Sequence, residues 1–309
     1  MALSIHTNYS ALTTNTALNK SNNALATNQQ RLGTGLRINS AADDAAGLQI
    51  ATRLNAQSRG MGVAMRNTSD ATSMLQTAEG AFSEMTDILQ RMKDLATQGA
   101  NGTNSADDLK SLQAEYAELG SELGNIMKNT KYAGDSLLYH KDSTAAVTTG
   151  KLGAAVKLQI GADKAEQMTV DVSGKLTALD TQLALVSDGY TGKATAANGA
   201  HIFWGGADAA ITTDDENKAN AMIETINTAL NKVGDVRAQF GSTINRLNHV
   251  NNNLANMKDN TEMAKGRIMD ADFAMESANM SKNSMLMQSG ISMLKQAGQM
   301  PGMVMGLLG

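Results

Sequence analysis

The sequence predicts a mainly α protein: an elongated helical bundle or coiled coil, carrying one small β-hairpin, in which helices at the two ends of the chain pair. Three observations carry this. Apolar or small residues recur at alternating three- and four-residue steps in long runs near both ends. Bulky residues are scarce, with aromatics at 3% and a single proline in 309 residues, which suits thin helical packing better than a thick core. The centre turns to Gly, Thr, Ser, Asp and Ala and loses the helical period.

The elements follow in order. Ala11, Leu18, Leu25 and Leu32 lie seven apart and mark a first helix, weakly apolar because Asn and Thr stand between them. The strongest seam runs Met61, Ala64, Thr68, Ala71, Leu75, Ala78, Phe82, Met85, Leu89, Met92, Ala96. Gly99, Gly102 and the cluster NGTNS end it. Ser105 then offers an N-cap, with Asp108 three residues on. A second seam follows at Leu109, Leu112, Tyr116, Leu119, Leu123 and Ile126, so the two helices read as an antiparallel hairpin. VKLQIGADKAEQMTVDV, at 156–172, shows two alternating runs around a polar turn, a β-hairpin pattern. HIFWGG, at 201–206, holds the single Trp. A third seam runs Met222, Ile226, Ala229, Val233, Val236, Phe240, Thr243, Leu247, Val250, Leu254, Met257. In the last segment Met280, Met287 and Leu294 form one seven-step row, and Leu286, Met293, Met300 and Leu307 another. Two apolar rows on one helix demand cover on more than one side. Ten of the twenty Met residues lie from Met263 onward, an adaptable filler for surfaces that repack.

The chemistry-bearing patterns are missing. Cysteine is absent, which removes disulfides, thiolate catalysis and cysteine zinc sites. His6, His140, His201 and His249 stand far apart, without metal-ligand spacing. Gly33-x-Gly35 lacks the third glycine of a dinucleotide loop and any strand before it. Asp43 and Asp44 are neighbours, so on a helix they diverge by about 100° and do not converge on one reacting atom. Their expected roles are to favour a helix start and to pair with Arg37 or Arg53. The reading is a non-enzyme with no cofactor and no metal. A net charge of −4 gives no drive toward nucleic acid or anionic membrane. No stretch approaches the about 20 apolar residues of a membrane helix, and MALSIHTNYS lacks the basic and apolar regions of a Sec signal.

RLGTGLRINSAADDAAGLQIATRL, at 31–54, resembles the bacterial flagellins. The family pattern there is R-L-S-S-G-x-R-I-N-S-A-x-D-D-A-A-G, and Arg31, Leu32, Gly35, Arg37–Ala41 and Asp43–Gly47 fit it. ILQRMKDLATQGANGTNS (88–105), GRIMDADFAMESANMSKNSML (266–286) and QAGQMPGMVMGLL near the end resemble the family as well. The likeness spans about the first 140 and last 95 residues, with the hairpin. It departs in a Met-rich ending that finishes on Gly309 and in a short centre.

The resemblance implies a structural subunit that polymerises into an extracellular flagellar filament. It divides the chain into an inner core helix and spoke at 1–44, a rod domain at 45–178, a short variable outer segment at 179–215, a returning rod helix at 216–265 and an inner core helix at 266–309. It implies that Arg31, Gly33, Gly35, Arg37, Asn39, Asp43, Asp44 and Arg53 form a spoke and subunit junction, with Gly33 and Gly35 breaking the heptad so the chain bends. Leu18, Leu25, Leu32, Met280, Met287 and Leu294 are the expected core-assembly residues. The implied partners are further copies of the chain, an export chaperone acting before type III export, a cap protein, and a host innate immune receptor contacted through Arg91, Leu95 and Glu115. Two alternatives stay open at this point: the hook–filament junction protein of the same superfamily, and an unrelated coiled-coil secreted effector.

Overall fold

The computed structural model describes residues 8–138, 140–141, 147–148, 150–187, 190 and 213–308. Among these are six α-helices: α1 (Tyr9–Thr34), α2 (Ala45–Gly99), α3 (Ala106–Asn129), α4 (Ser173–Val186), α5 (Thr213–Met269) and α6 (Phe273–Leu308). Three two-stranded antiparallel ladders join them: β1 (Lys131–Tyr132) with β2 (Asp135–Ser136), β3 (His140–Lys141) with β4 (Val147–Thr148), and β5 (Val156–Gln159) with β6 (Gln167–Val170). The chain forms two compact units, residues 1–59 with 257–309, and residues 60–256. Both α2 and α5 contribute to each.

The 60–256 unit holds the larger core. Every seam position from Met61 to Ala96 is buried, as are Ile226, Ala229, Val233, Val236, Phe240 and Leu247 of the third seam. Phe82 and Phe240 meet at a ring separation of 5.7 Å, tilted by 50°, an arrangement that aromatic quadrupoles favour. Helix α3 begins as its sequence dictates. The Ser105 side chain accepts from the Asp108 N–H, and the Asp108 carboxylate accepts from the Ser105 N–H. The β5–β6 hairpin pairs Val156 with Val170 and Gln159 with Gln167. Met168 and Val170 turn inward while Gln167 and Thr169 face out, the period-two alternation of a half-covered strand.

The expected outer segment at 179–215 needs correction at its start. Helix α4 crosses the 178/179 boundary, and Leu176, Leu179, Leu183 and Val186 are fully buried in the same core as α2 and α5. Tyr116 ties it to α3 by donating to the Val186 carbonyl at 2.9 Å. The 3-4-3 spacing of those four residues is a helical stripe that their Gly- and Ser-rich surroundings obscure. HIFWGG, at 201–206, lies outside the described residues.

In the 1–59 and 257–309 unit, α1 and α6 run antiparallel. Asn8 donates to the Ala297 carbonyl at one end, and Arg31 reaches Glu276 at the other. The α1 face toward α6 carries Ala11, Thr14, Leu18, Ser21, Leu25, Asn28 and Leu32, a three-four alternation, each at least half covered.

Candidate functional site

The spoke-like stretch at 35–44 and the α5–α6 break at 270–272 form one clasp. Gly35 ends α1 with φ +70°, a left-handed conformation that glycine adopts without the Cβ penalty, and its N–H donates to the Arg31 carbonyl at 2.8 Å. Of the two glycines expected to let the chain bend, only Gly35 marks the end of the helix: Gly33 lies inside the last turn of α1, whose 26 residues run to Thr34. The Arg37 N–H donates to the Met269 carbonyl at 2.6 Å, and the Ala271 N–H to the Gly35 carbonyl at 3.0 Å. Leu36 and Asp270 sit opposite each other in an antiparallel bridge. Arg37 Nη2 adds a bond to the Ile268 carbonyl at 2.9 Å. Two interrupted helices thus satisfy each other's exposed backbone groups.

The two adjacent acids have separate jobs. Asp43 Oδ2 accepts from the backbone of Asn39 (3.1 Å) and Ser40 (2.8 Å) and from the Ser40 hydroxyl. These bonds, more than the nearby Arg31 charge, hold its carboxyl below the ordinary value of 3.8. Asp44 caps α2, its Oδ1 accepting from the Gly47 N–H at 2.8 Å. Neither acid pairs with Arg37 or Arg53 among the described residues; the local N–H groups take both carboxylates instead. Gly47 is small by necessity, since a Cβ there would stand 2.8 Å from Ile38 Cδ1 and against the capping carboxylate. Asn39 Nδ2 donates to the Leu36 carbonyl at 2.9 Å, bracing the turn. Across the clasp Asp272 caps α6 through the N–H groups of Ala274 and Met275. Arg53 is exposed.

Beside the clasp lies a polar node that the sequence reading missed. Arg31 Nη1 and Glu276 Oε1 are 3.1 Å apart, with Glu276 buried. Asn28 is buried between the helices. With its amide nitrogen turned toward Glu276, it donates to Glu276 Oε2 at 3.1 Å while its oxygen accepts from Asn283 Nδ2 at 3.1 Å. The signal for Asn28 was its place seven residues after Ser21 on the α1 stripe. Between α2 and α5, the buried hydroxyl of Ser58 donates to Glu262 at 2.9 Å.

The core-assembly residues divide by face. Met280, Met287 and Leu294 are half covered on the side of α6 that meets α1, as are Leu18, Leu25 and Leu32 opposite them. Leu286 and Met293 of the second row are exposed, with Phe273, Met275, Met285 and Ile291. The side chains of Met300 and Leu307 lie outside the described residues. A groove of about 300 Å³ between the helices is lined by small residues of α1, Thr14, Ala17 and Ser21, with Leu286 and Met293 on its α6 side.

Arg91 and Glu115 form an exposed ion pair, Nη2 to Oε1 at 2.6 Å. Leu95, implied as a receptor contact, lies off the 61–96 seam and yet is buried, at 1% exposed. Several elements pack on α2, so burial there widens to adjacent pairs such as Leu95 and Ala96. No group of His, Asp and Glu residues suited to a metal ion occurs among the described residues, and no described helix is long and apolar enough to cross a membrane.

This arrangement defines a helical self-assembly protein, with two interrupted helices clasped together and apolar side chains of α6 left exposed. Family comparison makes that specific. Residues 5–143 match the bacterial flagellin N-terminal helical region, and residues 223–308 match its C-terminal helical region. The chain is 35% identical to Flagellin C of Vibrio anguillarum over 377 aligned positions, and 35% identical to Flagellin C of Vibrio cholerae over 380, covering 100% of each chain in both cases. Among solved structures it is similar in fold to a putative flagellar hook-associated protein from Vibrio parahaemolyticus, with 16% identity, a TM-score of 0.53, and cover of 74% of this chain and 100% of that one. The chain belongs to the bacterial flagellin family and is a structural subunit of the flagellar filament. The full-length flagellin matches do not favour the junction-protein or effector alternatives. The family is a structural one, and its members polymerise.

Proposed function

We propose that the 1–59 and 257–309 unit is the inner, assembly-driving part of the subunit and that the 60–256 unit is the rod. The observation that carries this is the apolar surface that α6 leaves exposed. Phe273, Met275, Met285, Leu286, Ile291 and Met293 each expose between 42% and 63% of their surface although α1 covers one side of the helix. Apolar surface of this kind lacks a partner within its own chain, and neighbouring copies supply one through a head-to-tail interface that does not close. The clasp at Arg31, Gly35, Arg37, Asn39, Asp43 and Asp44 then serves as the spoke holding the helix pair, with Gly33 and the exposed Arg53 on the junction surface. The boundaries at 44/45 and 265/266 belong to this reading.

The same reading places the chain outside the cell, exported through the flagellar type III channel, with an export chaperone before assembly and a cap protein during it. It also takes Arg91 and Glu115 as the exposed contact pair for a host innate immune receptor, with Leu95 supporting them from beneath. Loss of receptor signalling in Arg91→Ala supports that part, and unchanged potency removes it. Seeded polymerisation viewed by electron microscopy tests the main reading, using the full chain beside one lacking 266–309. Filaments from the first alone support it; filaments from both refute it.

A further inference from the structure

We infer that the exposed methionines of α6 are an oxidation site, at which a peroxide reversibly blocks assembly of the free subunit. The inference rests on the reading that this surface is covered by neighbouring subunits. Its own ground is the sorting of Met residues by exposure. Met275, Met285 and Met293 are 63%, 63% and 61% exposed. Met61, Met85, Met92 and Met127, in the other unit, are 1% exposed or less. Met275 and Met293 stand five helical turns apart and Leu286 three turns from Met275, so the three share one side of α6. Met293 and Leu286 border the groove whose opposite wall is Thr14, Ala17 and Ser21.

The chemistry is a two-electron oxygen transfer. The thioether sulfur attacks one peroxide oxygen, an S–O bond forms, the O–O bond breaks, and the second oxygen leaves as water after proton transfer. Sulfur is oxidised and hydrogen peroxide reduced. A flexible apolar side chain becomes a polar one that needs hydrogen-bond donors. Covering the sulfoxide in an assembly contact desolvates a polar oxygen where the thioether was apolar, and so weakens that contact. Sulfoxide reductases acting on both epimers reverse the change. Burial in a filament shields the same sulfurs, so the subunit is the sensitive form.

The test treats the purified full chain with hydrogen peroxide, maps sulfoxides by peptide mass spectrometry, and measures seeded polymerisation before and after methionine sulfoxide reductases A and B. Met275, Met285 and Met293 are expected to oxidise at least about tenfold faster than Met85 and Met92, since susceptibility follows exposure. Polymerisation falls after oxidation and returns after reduction. The M275L/M285L/M293L variant keeps polymerising after peroxide. Equal oxidation rates, or a block that the reductases do not lift, overturn the inference. If that variant assembles poorly untreated, the reductase reversal on the unaltered chain decides alone. Full oxidation at the three sites with unimpaired polymerisation, while the chain lacking 266–309 stays monomeric, sinks the inference and leaves the assembly reading standing. Polymerisation of the shortened chain sinks that reading.

Discussion

Asp43 and Asp44 show how two identical neighbours diverge once the backbone leaves the helix. Asp43 gathers three donors within a five-residue turn, and Asp44 caps the next helix. Because the folded-state carboxyl of Asp43 is depressed below 3.8, its contribution is fully present above the unfolded value and is lost as pH falls through the lower folded value. The clasp is therefore expected to loosen in acid below about pH 4. Asp43→Asn flattens that part of the profile, as read by circular dichroism against pH. Gly35→Ala places a Cβ on a left-handed backbone at φ +70°, and should cost about 1–2 kcal/mol in chemical denaturation. Gly33→Ala, in a helical turn with open space around it, should be neutral or stabilising in the same assay.

Among the elements, α2, α3 and α5 were legible because each buries a periodic stripe, widened on α2 by adjacent pairs such as Leu95 and Ala96, and the stripe is written in sequence as three-four spacing. The capping box of α3 was legible for a local reason: donor and acceptor lie three residues apart in the chain. Ser105→Ala should lower stability by about 1 kcal/mol, whereas Phe82→Ala removes half of the Phe82–Phe240 contact and should cost about 3–5 kcal/mol. Thermal unfolding of the two variants ranks them. Helix α4 was missed because its stripe is short, and a stripe of four residues at the edge of a Gly-rich tract competes with a loop reading.

For the whole molecule, the two units differ in how much they bury. The seams of the 60–256 unit are almost wholly covered, whereas Leu18, Leu25, Met287 and Leu294 of the α1–α6 pair are only partly buried. Local opening follows buried apolar contact. Hydrogen–deuterium exchange on the free subunit should therefore show α1 and α6 exchanging well before the Leu75–Leu95 stretch of α2. Equal protection would contradict this account of the energetics.

The sequence by itself determined the helical class, the three seams, the β5–β6 hairpin, the α3 cap and the family resemblance, because each rests on residues near one another in the chain or on a period repeated along it. Only the tertiary structure decided that Arg37 reaches the Ile268 and Met269 carbonyls, that Glu276 meets Asn28 and Arg31, that Leu95 is buried, and which row of α6 stays open. Those facts join positions more than 200 residues apart, or depend on which of two apolar faces a neighbour takes first. Periodicity names a face; packing alone chooses what covers it.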